Sequence, residues 1–480
     1  MIQIDNYIDG LICPPVSGLY LENPEPATGK AFSKVADSDN RDVELAVVAA
    51  QKAQAHWAAM PQEQRSRILI RISDLIEKNI DLLAEAESVD NGKPVWLAKV
   101  MDIPRAASNF YFYATEAMHL ATEAHITDTQ TINYTVRKPV GIAGCISPWN
   151  LPLYLFSWKI APALAMGNCV IAKPSEITPY TAYLLSKLCV EAGLPAGVLN
   201  IIHGSGPKVG AAISSHPHIP VISFTGGTKT GAEISRVAAP MFKKLSLELG
   251  GKNPNLVFED CDLDKAIRNG VNAAFTNQGE ICLCGSRIFI HRPIYDKYKE
   301  GFLRELEKRT VGDPQHPDTK LGAIVSQMHF EKVLGYIELA KAEGGKILAG
   351  GHPVNLEGRC KDGWFIAPTV IEGLPYTCRT NQEEIFGPVV TLTPFDTEEE
   401  ALEMANSTQY GLAATVWTEN LSRAHRVAAK LESGIVWINC WLVRDLRTPF
   451  GGVKNSGLGR EGGFEALKFF TEEKNVCIRL

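Results

Sequence analysis

Four groups of residues in this 480-residue chain have types and neighbours suited to chemistry. Cys282 closes the run FTNQGEIC at 275–282, after a glycine and polar residues rather than inside an apolar stripe. A thiol so placed can act as a nucleophile, but at neutral pH it is mostly protonated and needs an activating neighbour. Glu248 lies in LSLELGGKNP at 245–254, a single carboxylate in an apolar strand that ends in a glycine turn. Left unpaired there, desolvation raises its pKa toward that of a general base working near neutrality. Glu176 ends the run NCVIAKPSE, where a carboxylate can accept both hydroxyls of an adenosine ribose and repel a 2′-phosphate, and Lys173 can donate to the same sugar. A surface ion pair accounts for those two residues equally well. Gly226 and Gly227 open GGTKTG, whose N–H groups can receive a pyrophosphate. The spacing matches neither the dinucleotide fingerprint nor a P-loop, and a tight strand-to-helix turn explains it as readily.

The elements that must position these residues alternate. From Gly141 the apolar runs GIAGCIS, NCVIAKP, GVLNIIHG and PVISFTGG are separated by helical stretches at 153–166, 178–192, 207–215 and 229–238. This is the rhythm of a parallel sheet covered by helices. Ligands of such sheets bind beyond the carboxyl ends of the strands, which singles out Trp149-Asn150, Lys173 to Glu176, and Thr225-Gly226-Gly227. A second alternation starts at NPNLVFED and runs to Phe450. The first hundred residues read as largely helical. Asp39 or Asn40 caps a helix with Val43, Ala46, Val47 and Ala50 on its inner face, and Ile68, Ile72, Leu75, Ile76 and Leu83 define one longer helix. Strand-like alternation at Thr131–Lys138 and at Val476, Ile478 and Leu480 predicts two outlying strands that pair with each other or with a neighbouring subunit.

Composition narrows the class. With 48 basic and 54 acidic residues, net charge −6 and 45% hydrophobic residues, the chain is an ordinary globular protein with no general attraction to nucleic acid or an anionic membrane surface. The longest apolar stretch, Ile160 to Ala172, is interrupted by Pro162, Gly167 and Asn168, so no membrane span is expected. The opening MIQIDNYIDG carries acidic residues where a signal peptide is basic. Eleven cysteines, an odd number scattered from Cys13 to Cys477, read as a reduced cytoplasmic protein. Cys282-Leu283-Cys284 lacks the second pair a zinc site needs, and no metal is expected.

The segments SPWNLPLYL, MGNCVIAKPSE, ISFTGG, LELGGKNP, NQGEIC, EEIFGPV and PFGGVKNSGLGREGG, in this order, resemble the aldehyde dehydrogenase superfamily along nearly the whole chain. The resemblance implies an α/β fold. It comprises a Rossmann-like parallel-sheet NAD-binding domain (1–120 and 140–251), an α/β catalytic domain (252–450) and a small β oligomerisation arm (121–139 and 467–480). It implies that Cys282 is the nucleophile, Glu248 the base activating the deacylating water, and Asn150, with the Cys282 N–H, the oxyanion hole. It further implies NAD as cofactor, with Lys173 and Glu176 on the adenosine ribose, Gly226, Gly227 and Trp149 along the pyrophosphate path, Glu384 on the nicotinamide ribose and Phe386 packed beside it. The family's usual serine after the first glycine is Gly227 here, which removes one hydroxyl contact.

Within the superfamily, MDIPR at 101–105, NYTVRKPVG, NQGEICLC and NCWLVRDLRTPFGG at 439–452 resemble the branch that oxidises muconic semialdehydes, including Glu280 where most relatives have glutamine. In that branch two arginines bind the substrate carboxylate, and the matching positions are Arg105 and Arg444, with Arg447 a secondary candidate. An arginine fork recognises a carboxylate bidentately and gains nothing from a hydrophobic aldehyde. The expected reaction is oxidation of 2-aminomuconate 6-semialdehyde to 2-aminomuconate by a homodimer or homotetramer. The alternatives are 2-hydroxymuconic semialdehyde, betaine aldehyde or aliphatic aldehydes as substrate, a cofactor-independent thiol hydrolase, and a non-catalytic protein on the same fold.

Overall fold

In the computed structural model, which describes residues 1–480, the apolar runs that follow Gly141 become five neighbouring parallel strands. Their spatial order is Lys244–Glu248, Val221–Thr225, Ile142–Ile146, Cys169–Lys173, Leu199–Ile201. The chain starts in the middle at Ile142–Ile146, works outward on one side, then crosses to Val221–Thr225 on the other. That reversal opens a crevice beyond the carboxyl ends of the two central strands, where a doubly wound sheet binds its ligand. The residues that follow those strands are Trp149-Asn150 and Gly226-Gly227.

Three short strands complete this sheet in antiparallel fashion. Gly457–Leu458 pairs with the Glu248 strand, and Asn6–Ile8 and Leu11–Cys13 extend the opposite edge. The N-terminal region is therefore not simply helical. Ile2–Ile4, Tyr20–Glu25 and Lys30–Ala36 form a further three-stranded sheet. Three-residue strands are too short to show a period of two, and Tyr7 finds its partner at Ile201, far along the chain. The helix Asn40–Ala59 is capped by Asp39, whose side chain accepts the Arg41 N–H while Asp42 reaches back to the Asp39 N–H. Val43, Ala46, Val47 and Ala50 are wholly buried. The single long helix expected through Leu83 is two, Gln62–Lys78 and Ile80–Asn91. They are broken at Asn79, whose Nδ2 turns back to the Leu75 carbonyl at 2.8 Å. The stretch expected to be helical at 207–215 begins as a wide π turn, Gly206–Gly210, before Ala211–Ser215.

The second sheet has seven strands, parallel except for the edge strand Lys346–Ala349. Its residues alternate between two cores. Val257, Ile288 and Ile290 pack with the helices Leu263–Phe275 and Tyr295–Leu306, while Leu256, Phe258 and Phe289 pack with Glu398–Asn406 and Leu421–Lys430. The outlying strands pair with each other. Thr471–Arg479 runs antiparallel to Thr131–Pro139 over nine residue pairs, and Ala124–Asp128 adds a third strand. No helix is long and apolar enough to cross a membrane.

Candidate active site

Cys282 follows the helix Leu263–Phe275 after three successive left-handed residues, Asn277 (φ +54°), Gln278 (φ +57°) and Gly279 (φ +73°). For the two that are not glycine this backbone costs on the order of 1 kcal/mol or more each, and side chains hold it in place. Asn277 Nδ2 donates to the carbonyls of Asn150 (3.1 Å) and Glu280 (3.2 Å). Gln278 donates to the Ala323 carbonyl at 3.3 Å and accepts the Gly322 N–H at 3.2 Å. The loop leaves Cys282 half-buried. Burial pushes its thiol up, and the charges of Glu384 and Glu248 push the same way, so at rest it is protonated.

Glu248 ends the strand Lys244–Glu248 and is 4% exposed, with no hydrogen-bond partner on either carboxylate oxygen. Burial, and next the charge of Glu461, raise its pKa well above the ordinary carboxylate range, with Lys159 and Arg444 opposing. Sequence reasoning missed Glu461 and Lys159. They form a buried ion pair at 2.9 Å, and Ser223 Oγ donates to the same Glu461 oxygen at 3.0 Å. Lys159 was signalled only by its apolar setting in FSWKIAPAL, and Glu461 sits beside Arg460 in the glycine-rich GLGREGG, where nothing marks its burial.

Asn150 is 3% exposed. Its Nδ2 uses one N–H on the Glu280 carbonyl at 2.9 Å, and the Cys282 N–H has no protein acceptor. The backbone beneath it is held by groups the sequence did not single out. Lys93 Nζ donates to the Asn150 carbonyl (3.1 Å) and pairs with Asp102 (2.8 Å), Asn91 Nδ2 holds the Trp149 carbonyl (3.0 Å), and Glu87 accepts the Leu153 N–H (3.3 Å). Lys93, Glu87 and Asp102 are all wholly buried.

Cys282 lines two spaces. One is a cavity of about 650 Å³ shared with Glu248, Glu461, Arg105, Arg444 and Trp158. Arg105 lies over the Tyr154 ring at 5.6 Å, and Arg444 over those of Phe450 (3.9 Å) and Trp158 (5.7 Å), and neither forms an ion pair. Arg447 also lines the cavity, but it is exposed and tied to Asp445 at 2.6 Å. The second space is a narrow crevice with Gly251, Glu384 and Phe386. Glu384 Oε1 accepts the Gly251 N–H at 2.8 Å. A Cβ on Gly250 would lie 2.5 Å from Glu384 Oε2 and would push the carboxylate out of this position. Phe386 stands edge-on to Trp149, with centroids 5.2 Å apart.

Lys173, Glu176, Gly226 and Gly227 lie outside both spaces, along the crevice edge of the first sheet. Lys173 Nζ meets Glu176 Oε2 at 2.9 Å, and the Gly206 N–H donates to Oε1 at 3.2 Å. Burial pushes Glu176 up, but Lys173 and the backbone donors outweigh it and hold the carboxyl below its ordinary range. Gly226 donates its N–H to the Glu248 carbonyl at 3.0 Å. Gly227 precedes the helix Thr228–Ala238, whose start no side chain caps, leaving its amides for an anion. An ionised carboxylate at a strand end, an uncapped helix start and a carboxylate beside a glycine turn fit a dinucleotide.

A half-buried thiol and a buried carboxylate share a cavity at the mouth of a doubly wound sheet, the setting of an enzyme that acts on a carbonyl compound with a dinucleotide. The model of the aldehyde dehydrogenase family matches residues 16–476, and the chain belongs to that family. It is 48% identical to human 2-aminomuconic semialdehyde dehydrogenase over 482 residues, covering 100% of this chain and 99% of that protein. It is 46% identical to the 2-hydroxymuconic semialdehyde dehydrogenase of Pseudomonas sp. strain CF600, covering 100% of both. Among solved structures, indole-3-acetaldehyde dehydrogenase of P. syringae in complex with NAD+ superimposes with a TM-score of 0.98 at 38% identity, covering 100% of this chain and 97% of that one.

Proposed function

We propose that this aldehyde dehydrogenase oxidises a semialdehyde bearing a carboxylate, 2-aminomuconate 6-semialdehyde, to the corresponding acid with NAD as cofactor. The observation that carries the reading is the pair of arginines, Arg105 and Arg444, which lack carboxylate partners and line the cavity that holds Cys282. Their guanidinium groups supply the charge the substrate carboxylate needs, and aromatic rings keep them in place. The semialdehyde named for the relative at 48% identity supports the same choice.

Cys282 gives its proton to water in the cavity, and its sulfur adds to the aldehyde carbon, whose C=O π pair moves to oxygen to give a tetrahedral oxyanion. The free N–H of Asn150 Nδ2 and the Cys282 N–H stabilise that charge as it forms. Lys173 and Glu176 would hold the adenosine ribose of NAD, Gly226 and Gly227 with Trp149 would line its pyrophosphate, Glu384 would hold the nicotinamide ribose and Phe386 would pack beside it. Bound NAD supplies the hydride acceptor. Cys282 is left as a thioester. Glu248 takes a proton from water, which attacks the thioester and releases the acid. The exposed apolar residues of the arm, Ile126 at 82% and Leu480 at 91%, support a homodimer or homotetramer. The eight-stranded sheet, the seven-stranded sheet and the sheet of Thr131–Pro139 with Thr471–Arg479 support a division into a cofactor domain (1–120 and 140–251), a catalytic domain (252–450) and an arm (121–139 and 467–480), with Gly457–Leu458 joining the first sheet from outside those ranges. Eleven free cysteines support a reducing, cytoplasmic setting.

The test is steady-state NADH formation with freshly generated 2-aminomuconic and 2-hydroxymuconic semialdehydes, betaine aldehyde and acetaldehyde, with Cys282→Ala as control. A kcat/KM for the aminomuconic substrate no better than for acetaldehyde would sink the reading. The relative named for hydroxymuconic semialdehyde makes that compound the second reading, and the same panel separates the two.

A further inference from the structure

Three buried ionisable groups stand behind the cavity and take no part in the steps above. Gly92, left-handed at φ +89°, ends the helix Ile80–Asn91, and Lys93 follows it into the interior. Its ammonium donates to Asp102 Oδ1 at 2.8 Å and to the Asn150 carbonyl at 3.1 Å, and stands 3.9 Å from Glu87. Glu87 in turn accepts the Leu153 N–H at 3.3 Å. All three side chains are wholly buried. Burial pushes both carboxyls up, Glu87 to about 8, and the Lys93 charge pulls both back. Asp102 ends a wide π turn, Ala98–Asp102, that leads into the helix Ile103–Glu116. Turns of this kind recur at functional sites. The segment divides by side: Val100, Met101, Pro104 and Arg105 line the cavity, whereas Asp102 faces inward onto Lys93. One ammonium thus joins the wall that carries Arg105 to the backbone that carries Asn150.

We propose that Lys93 and Asp102 are a positioning pair that fixes the span between Arg105 and the oxyanion donor Asn150, and thereby sets which length of carboxylate-bearing aldehyde the enzyme prefers. A substrate held at both ends must place its carboxylate on Arg105 and its carbonyl carbon at Cys282 at the same time. A rigid frame favours one chain length, because a misplacement of about 1 Å at the reacting carbon can cost about a hundredfold. A loosened frame discriminates less. Neither member of the pair touches the substrate: Lys93 acts on Asn150 through its main-chain carbonyl, and Asp102 acts on Arg105 through the helix that begins just after it. Arg444, held on Phe450 and Trp158, lies outside this frame, so an anchor for the carboxylate survives loss of the pair. Stability alone is a poor account of the arrangement, since a buried ion pair is often no more stabilising than apolar residues of the same volume.

The proposal rests on reading Arg105 as a ligand of the substrate carboxylate, and the experiment separates the two. The ratio kcat/KM is measured for adipic semialdehyde (six carbons), succinic semialdehyde (four carbons) and acetaldehyde. The enzymes compared are wild type, Arg105→Ala, Asp102→Asn, Lys93→Met/Asp102→Asn, and that double variant with Arg105→Ala added. Wild type is expected to prefer the six-carbon semialdehyde over the four-carbon one. In Lys93→Met/Asp102→Asn, which buries no lone ammonium, the preference falls about tenfold. Asp102→Asn alone keeps an oxygen for Lys93 and retains most of the preference. Adding Arg105→Ala to the double variant lowers it no further than Arg105→Ala does by itself. Lys93→Met/Asp102→Leu, an apolar replacement, is used if the double variant fails to fold. A fall by one common factor on all three substrates, or a preference that survives the double variant while Arg105→Ala abolishes it, overturns the pair and leaves Arg105 as a ligand. A preference absent from wild type or untouched by Arg105→Ala overturns the ligand reading, and the span with it.

Discussion

In the proposed mechanism Cys282 and Glu248 divide the work because their environments differ. Burial raises both, and Arg444 favours the ionised form of each, while Glu248 also has Lys159 within range and two oxygens that face no competing donor. Activity limited by thioester hydrolysis therefore rises with pH as Glu248 loses its proton, through a midpoint above the ordinary carboxylate range. Glu248→Gln is expected to leave a burst of NADH and slow the steady state by about a hundredfold or more, seen by stopped-flow absorbance. A steady state that falls without a burst would place Glu248 before hydride transfer. For Arg444→Ala the expected loss is about 2 kcal/mol, roughly thirtyfold in kcat/KM, on a carboxylate-bearing semialdehyde. Acetaldehyde turnover serves as the control, and equal losses on both substrates would remove the carboxylate role. Arg447, already neutralised by Asp445, is expected to matter little in the same assay.

At the scale of elements, the turn carrying Asn150 hangs on buried charge. Lys93 joins the Asn150 carbonyl to Asp102, three residues before Arg105 on the same helical segment. Breaking such a pair by removing one partner leaves an uncompensated buried charge and costs about 3 to 5 kcal/mol. Lys93→Met is thus expected to unfold at markedly lower denaturant, with Asp102→Asn in the same background recovering part of the loss. A double variant no more stable than the single one would show that the pair is not the source. Glu176 tests a different element, the strand end Lys173–Glu176. Glu176→Ser removes the charge that repels a 2′-phosphate, so the ratio of NADP to NAD use is expected to rise about tenfold or more; an unchanged ratio places the ribose elsewhere.

For the whole molecule, buried titratable groups set the pH range of stability. Burial holds His203 down at about 3 and His329 at about 4, against 6.5 for ordinary histidine. Between those values the unfolded chain binds more protons than the folded one. Their stabilisation is therefore complete above about pH 6.5 and is lost as pH falls below it, up to about 1.4 kcal/mol per pH unit for each histidine. Asp90 works in the opposite sense: burial raises it from 3.8 to about 7, so its contribution weakens as pH rises through that range. Thermal unfolding of wild type and His203→Gln between pH 7 and pH 4.5 isolates one histidine. The midpoint of the variant is expected to fall less steeply, and parallel curves would exclude His203 as a contributor.

Much of the site was legible along the chain because its local signals are strong. A cysteine after NQGEI, a carboxylate alone in LSLELGG and strand-ending residues at a switch point are each visible without distant contacts. The parallel strands after Gly141 declared themselves as apolar runs, whereas Ile2–Ile4, Asn6–Ile8 and Leu11–Cys13 are too short for periodicity to register and Tyr20–Glu25, YLENPE, is polar and carries a proline. The sequence by itself determined the chemistry and the family, since residue types and their spacing are what reactive groups require. Tertiary structure alone decided which charges remain free. It tied Arg447 to Asp445 while leaving Arg105 and Arg444 unpaired, set Glu461 and Lys159 beside Glu248, and put Lys93 behind the turn that carries Asn150. Each of those outcomes depends on proximity between residues far apart in the chain, and a charge has no partner in a sequence until folding supplies or withholds one.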